Sequence, residues 1–140
     1  MILLDTTVLC YAVGTEHPLR DPCRVLIGRA GRGELRASTT VEVVQEFVHV
    51  RARRGGRADA VQLARAYVRL LAPLQSPDED TLEAALRLYP TIPALGSFDV
   101  LLAATAVRSA DTLLSADRAF ADVPGLHHVV PDAEGIATLR

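Results

Sequence analysis

Ile2-Leu3-Leu4-Asp5-Thr6-Thr7-Val8-Leu9-Cys10-Tyr11-Ala12 decides how the rest of the chain is read. Ile2-Leu3-Leu4 is apolar without alternation, as a strand covered on both faces must be, and the apolar run after Thr6-Thr7 reads as a short helix that Gly14 ends. A strand leading directly into a helix is the first half of a βαβ unit. The step then repeats. Between Pro18 and Gly33 the apolar Val25, Leu26 and Ala30 recur at helical spacing among Arg24 and Arg29, and Leu35-Arg36-Ala37-Ser38 is the next strand candidate. Thr39 followed by Glu42 has capping-box spacing and predicts a helix from about Thr40 to Arg54. Two further helical periods cover residues 58–71 and 78–89, the second opened by Asp78-Glu79-Asp80, whose charge suits a helix N-terminus. Pro90 and Pro93 impose a loop, Ser97 is placed to cap an apolar helix over Phe98 to Val107, and Thr112-Leu113-Leu114-Ser115 and Val129-Val130 complete the strand candidates. Strands alternating with helices predict an α/β fold whose parallel sheet is covered on both faces, in one domain spanning residues 1–140.

Composition narrows the chemistry. All 15 basic residues are arginine, so a P-loop lysine, a Schiff-base lysine and the strand-borne lysine of a kinase are excluded. No apolar run approaches the roughly 20 residues of a membrane span, and no export signal opens the chain, so no membrane association is expected. Cys10 and Cys23 form no CxxC pair and have no histidine at metal spacing, which argues against zinc or a disulfide and for a reduced, cytoplasmic setting. The net charge of −2 discourages a nucleic-acid partner when taken alone. It conceals a polarised chain. Residues 1–70 hold eleven Arg against seven acids, whereas residues 71–140 hold four Arg against ten acids. The densest basic stretch places Arg51, Arg53, Arg54 and Arg57 around Gly55-Gly56, where they are candidates for RNA phosphate contacts or simply a solvated face. With three Phe, three Tyr and no Trp, base stacking is expected to contribute little.

Four carboxylates sit awkwardly for a solvated role. Asp5 and Asp117 follow strands, at the edge where open parallel sheets bind ligands, although each also suits a simple helix cap. On the helix from Thr40, Glu42 has a sufficient task in the capping box, while Glu46 lies at the margin of the apolar stripe of Val43, Phe47 and Val50. Asp99 is flanked by Phe98 and by Val100-Leu101-Leu102-Ala103-Ala104, a helix buried nearly all round, so its charge needs a partner, a hydrogen bond or a metal. If the four converge, their repulsion calls for a cation, and an all-oxygen ligand set selects a hard ion such as Mg²⁺ or Mn²⁺.

Ile2-Leu3-Leu4-Asp5-Thr6-Thr7-Val8-Leu9, Val43-Val44-Gln45-Glu46-Phe47, Ser97-Phe98-Asp99-Val100-Leu101-Leu102-Ala103-Ala104 and Leu114-Ser115-Ala116-Asp117-Arg118-Ala119-Phe120 resemble, in order and spacing, the four motifs of PIN-domain nucleases. The length and nearly full coverage resemble in particular the VapC-type toxins of type II toxin–antitoxin pairs. The resemblance implies a PIN-like sheet of four to five strands and an acidic Mg²⁺ site formed by Asp5, Glu46, Asp99 and Asp117, with Thr7 and Ser115 as polar supports. It implies RNA cleavage, a cognate antitoxin and a homodimer as well. The family often has asparagine or serine where this chain has Thr7. Competing readings are a stand-alone PIN-like RNA-processing nuclease and an α/β phosphotransfer or binding domain built around Asp5. Glu46-Phe47-Val48-His49 has the Glu-x-x-His spacing of a di-iron bundle, but the required second copy is missing.

Overall fold

The computed structural model describes all 140 residues. Strands β1 (Ile2–Leu4), β2 (Ala37–Ser38), β3 (Thr112–Leu114) and β4 (His128–Val129) form one parallel sheet in the order β2-β1-β3-β4. Leu3 pairs with Ser38 on one side and with Leu113 on the other. Ile2, Leu3 and Leu4 are all buried, as are Thr112, Leu113 and Leu114. Successive strand side chains point to opposite faces, so helices must cover both, as the unbroken apolar runs require.

Those helices are α1 (Thr6–Ala12), α2 (Arg20–Gly31), α3 (Val41–Gly55), α4 (Arg57–Leu71), α5 (Glu79–Leu88), α6 (Ser97–Ser109) and α7 (Ala133–Ala137). The chain leaves β1 through α1 and α2 to reach β2 on one side, then returns through α3 to α6 to β3 on the other side of β1. The winding therefore reverses between β1 and β3, and the crevice beyond their carboxyl ends is the natural ligand site of an open α/β sheet. Gly56 joins α3 to α4 at φ +86°, a left-handed conformation that a side chain at this corner would strain. Phe47 of α3 meets Tyr67 of α4 edge to face at 5.2 Å, and the Tyr67 hydroxyl donates to the Leu9 carbonyl of α1 at 2.8 Å. No helix is long and apolar enough to cross a membrane.

The structure departs from the sequence expectations mainly at element ends. The cap of α3 is Thr40, whose hydroxyl accepts from the Val43 amide at 3.1 Å, one residue later than the capping-box reading placed it. Thr39 is occupied otherwise: its buried hydroxyl donates to the Leu4 carbonyl at 2.7 Å and ties the end of β1 to the start of α3. Glu42 consequently has no capping role, and its Oε2 is buried without a hydrogen-bond partner. Ser97 is the first residue of α6 rather than its cap; Gly96 occupies that position, and its amide donates to Asp99 Oδ2 at 3.1 Å. Ladder pairing of the second strand is confined to Ala37–Ser38, shorter than Leu35–Ser38.

Candidate active site

Asp5 follows β1 and caps α1, with Oδ1 accepting from the Thr6 amide at 2.7 Å. Capping uses only one of its oxygens. Oδ2 accepts from the Ser115 hydroxyl at 2.6 Å and the Thr7 hydroxyl at 2.9 Å, leaving the carboxylate 5% exposed. Both hydroxyls are themselves oriented, because Ser115 Oγ accepts from the Asp117 amide and Thr7 Oγ1 from the Ala116 amide, each at 3.0 Å. The ends of β1 and β3 are thus locked together through one carboxylate oxygen. The hydroxyls of Thr7 and Ser115 both donate to the same oxygen of Asp5.

The other three acids approach from separate elements. Glu46 of α3 is exposed, and its Oε2 accepts from the Thr6 hydroxyl at 2.9 Å. Asp117 caps the 3-10 turn over Arg118–Asp122 through the Ala119 amide at 2.9 Å. Asp99 is half-buried in the first turn of α6. Burial raises its pKa above the ordinary aspartate range, the Gly96 amide opposes that shift, and the charges of Asp5, Asp117 and Glu46 add to it. All four line one cleft of about 410 Å³ at the reversal of the sheet. None takes part in any of the ion pairs of the protein. As the side chains stand, no three Asp, Glu, His or Cys residues converge closely enough to hold a metal ion by themselves.

A PIN domain model matches residues 2–126, a span that contains all four acids. The chain is 50% identical to ribonuclease VapC7 of Mycobacterium tuberculosis, covering 99% of this chain and 97% of that protein. This chain is a PIN-domain protein of the VapC type. Ribonuclease VapC23 of the same species is 33% identical, over 72% of this VapC-type chain and 79% of its own length. Among solved structures, VapBC2 from Rickettsia felis, bound to a DNA fragment from its promoter, has the same fold, with a TM-score of 0.72, 17% identity and coverage of 93% of this chain and 98% of that one.

The VapC-type cleft also takes in residues that sequence reasoning passed over. Thr6 orients Glu46, and Cys10, Tyr11, Glu16 and His17 line the wall beside the carboxylates. Thr7, Cys10 and Tyr11 share a helix face at i, i+3 and i+4, a spacing that would have placed Tyr11 near the site. Burial pushes the Cys10 thiol up to about 11, so it stays protonated and is a poor nucleophile. The arginine cluster does not act as one surface. Arg54 lines the cleft, whereas Arg53 and Arg57 border a separate groove with Gln45, Val48 and His49. Arg51 is engaged structurally, donating to Asp59 at 2.7 Å and to the Val13 carbonyl at 3.2 Å.

Proposed function

We propose that this protein is a Mg²⁺-dependent endoribonuclease, with Mn²⁺ as a competent substitute, acting as the toxin of a VapBC-type pair in the cytoplasm through one domain spanning residues 1–140. The observation that carries this reading is the arrival of Asp5, Glu46, Asp99 and Asp117 on one cleft with no cationic side chain paired to any of them. Four such charges need a hard cation, and Mg²⁺ needs only one or two carboxylates because it retains much of its water. The donor set therefore fits the ion without an all-protein cage. Asp5 and Asp99 would hold it directly, with Asp117 completing the shell.

A bound ion would polarise the scissile phosphate and acidify a water molecule. The chain's own residues supply positioning and proton handling. Thr6, Thr7 and Ser115 hold Asp5 so that its orientation does not relax as the reaction proceeds. Glu46, restrained through one oxygen by Thr6 and exposed to the cleft, is the acceptor for the proton of the attacking water. Arg54 offsets the repulsion between an acidic cleft and a polyanionic strand, and Arg53 and Arg57 extend the attraction along the neighbouring groove.

The VapBC2 complex supports a cognate antitoxin as one protein partner, and a second copy of this chain is the other partner in this reading. Apolar side chains available for those contacts are Val61 and Val68 on α4, and Leu82, Leu86 and the adjacent Tyr89 at α5, all exposed.

The deciding assay is cleavage of structured RNA by the wild type, Asp5→Asn and Asp99→Asn, with and without EDTA. The wild type loses activity in EDTA and regains it with Mg²⁺ or Mn²⁺. Each variant falls by about a hundredfold or more, since a lost ligand removes several kcal/mol of transition-state stabilisation. Equal cleavage by all three proteins refutes the assignment.

A further inference from the structure

The wall of the acidic cleft carries a stacked aromatic pair. The rings of Tyr11 and His17 lie 4.3 Å apart between centroids and are inclined by 25°. Both line the cleft that contains Asp5 and Glu46, and Arg54 shares that lining. Tyr11, half-buried on α1, is the inner ring, and His17, exposed in the turn before α2, is the outer one. His17 is held from two directions, by the face of Tyr11 and by the Leu19 amide, which donates to its Nδ1 at 3.1 Å. That bond assigns the proton of the neutral imidazole to Nε2, leaving a donor with no partner in the protein. An exposed ring with its orientation already fixed loses little entropy when something stacks on it.

These features suit a flat, unstacked heterocycle beside a phosphate. A nucleobase can extend the stack through its π face, while Arg54 contacts the strand's phosphate. The Nε2 proton and the Glu16 carboxylate supply one donor and one acceptor for the base edge. We propose that Tyr11 and His17 form a nucleobase subsite that holds one base of single-stranded RNA next to the phosphate at the carboxylates, so that the turn before α2 sets base preference. The subsite rests on the ribonuclease reading for its place in catalysis, but its binding is separable from cleavage.

The test measures fluorescence anisotropy of short single-stranded oligoribonucleotides on the cleavage-silenced Asp5→Asn protein, alone and combined with His17→Ala or His17→Phe. The probes carry an abasic site at each position in turn. His17→Ala weakens binding about tenfold, the usual scale of one base–aromatic stack, and His17→Phe retains most of the affinity. An abasic site at one position, and not at the others, abolishes the effect of His17→Ala. In the otherwise native enzyme His17→Ala raises KM by more than it lowers kcat, because the ring would hold a base and not the reacting atoms. Unchanged affinity, or an equal loss at every abasic position, overturns the subsite. Base-dependent binding by a native protein that cleaves no RNA keeps the subsite and sinks the ribonuclease reading. Carboxylate-dependent cleavage indifferent to His17 does the reverse.

Discussion

Ser115→Ala probes how far the cleft depends on its hydroxyl supports. The side chain is fully buried, donates to Asp5 Oδ2 at 2.6 Å and accepts from the Asp117 amide at 3.0 Å. A hydrogen bond to a charged acceptor contributes about 1.5–3 kcal/mol, and the stranded Asp117 amide adds to the loss where water does not replace its partner. Thr7 still donates to the same carboxylate oxygen at 2.9 Å, which limits the damage. The net destabilisation should be about 2 kcal/mol, or about 6–10 °C in Tm for a chain of this size. Because Ser115 and Thr7 share one acceptor, Ser115→Ala with Thr7→Val should exceed the sum of the single changes by about 1 kcal/mol. Urea unfolding measures the stability, and single-turnover cleavage of RNA should show kcat falling more than KM rises. A change below about 0.5 kcal/mol, the level of an ordinary surface substitution, with cleavage intact would refute the view that Ser115 orients Asp5.

Two further outcomes follow from other buried or half-buried groups. Tyr67→Phe deletes the hydroxyl that satisfies the Leu9 carbonyl and should cost about 1–2 kcal/mol in urea unfolding; an unchanged midpoint with an unchanged slope would show that the bond is dispensable. Asp99 has a raised pKa in the folded state through burial, so folding retains its proton to higher pH than the unfolded chain does. The stability this gives is present below the unfolded value of 3.8 and is lost as pH rises through the folded value. In EDTA, Asp99→Asn should therefore flatten the decline of Tm across that interval, because the amide still accepts from Gly96 without carrying charge; superimposable pH profiles would exclude this contribution.

The strands β1 and β3 were readable because burial on both faces leaves a mark that needs no partner to interpret, three apolar residues without alternation. The acids drew notice for two different reasons: Asp5 and Asp117 follow apolar strands at the edge where open sheets bind ligands, and Asp99 stands in an apolar helix where a solvated role is costly, whereas Glu46 is exposed in the structure. The cap of α3 was not readable. Thr39 and Thr40 are chemically alike, and what separates them is the Leu4 carbonyl, 35 residues away in sequence, which takes the Thr39 hydroxyl. The arginines divide between grooves because neighbours on a helix differ by about 100° in direction, so adjacent Arg53 and Arg54 reach different clefts, which a count of charges along the chain does not show. His17 gave no signal at all. Its arrival beside Tyr11 depends on the path of an irregular turn, which has no period to read.

The bond between Asp5 and Ser115 joins residues 110 positions apart. Order at the first carboxylate therefore reports the docking of β3 against β1, which pair from Ile2 with Thr112 to Leu4 with Leu114. Any local opening that separates these strands frees Asp5 from Ser115 and carries Asp117 away in the same event, so the cleft is dismantled as a unit and not acid by acid.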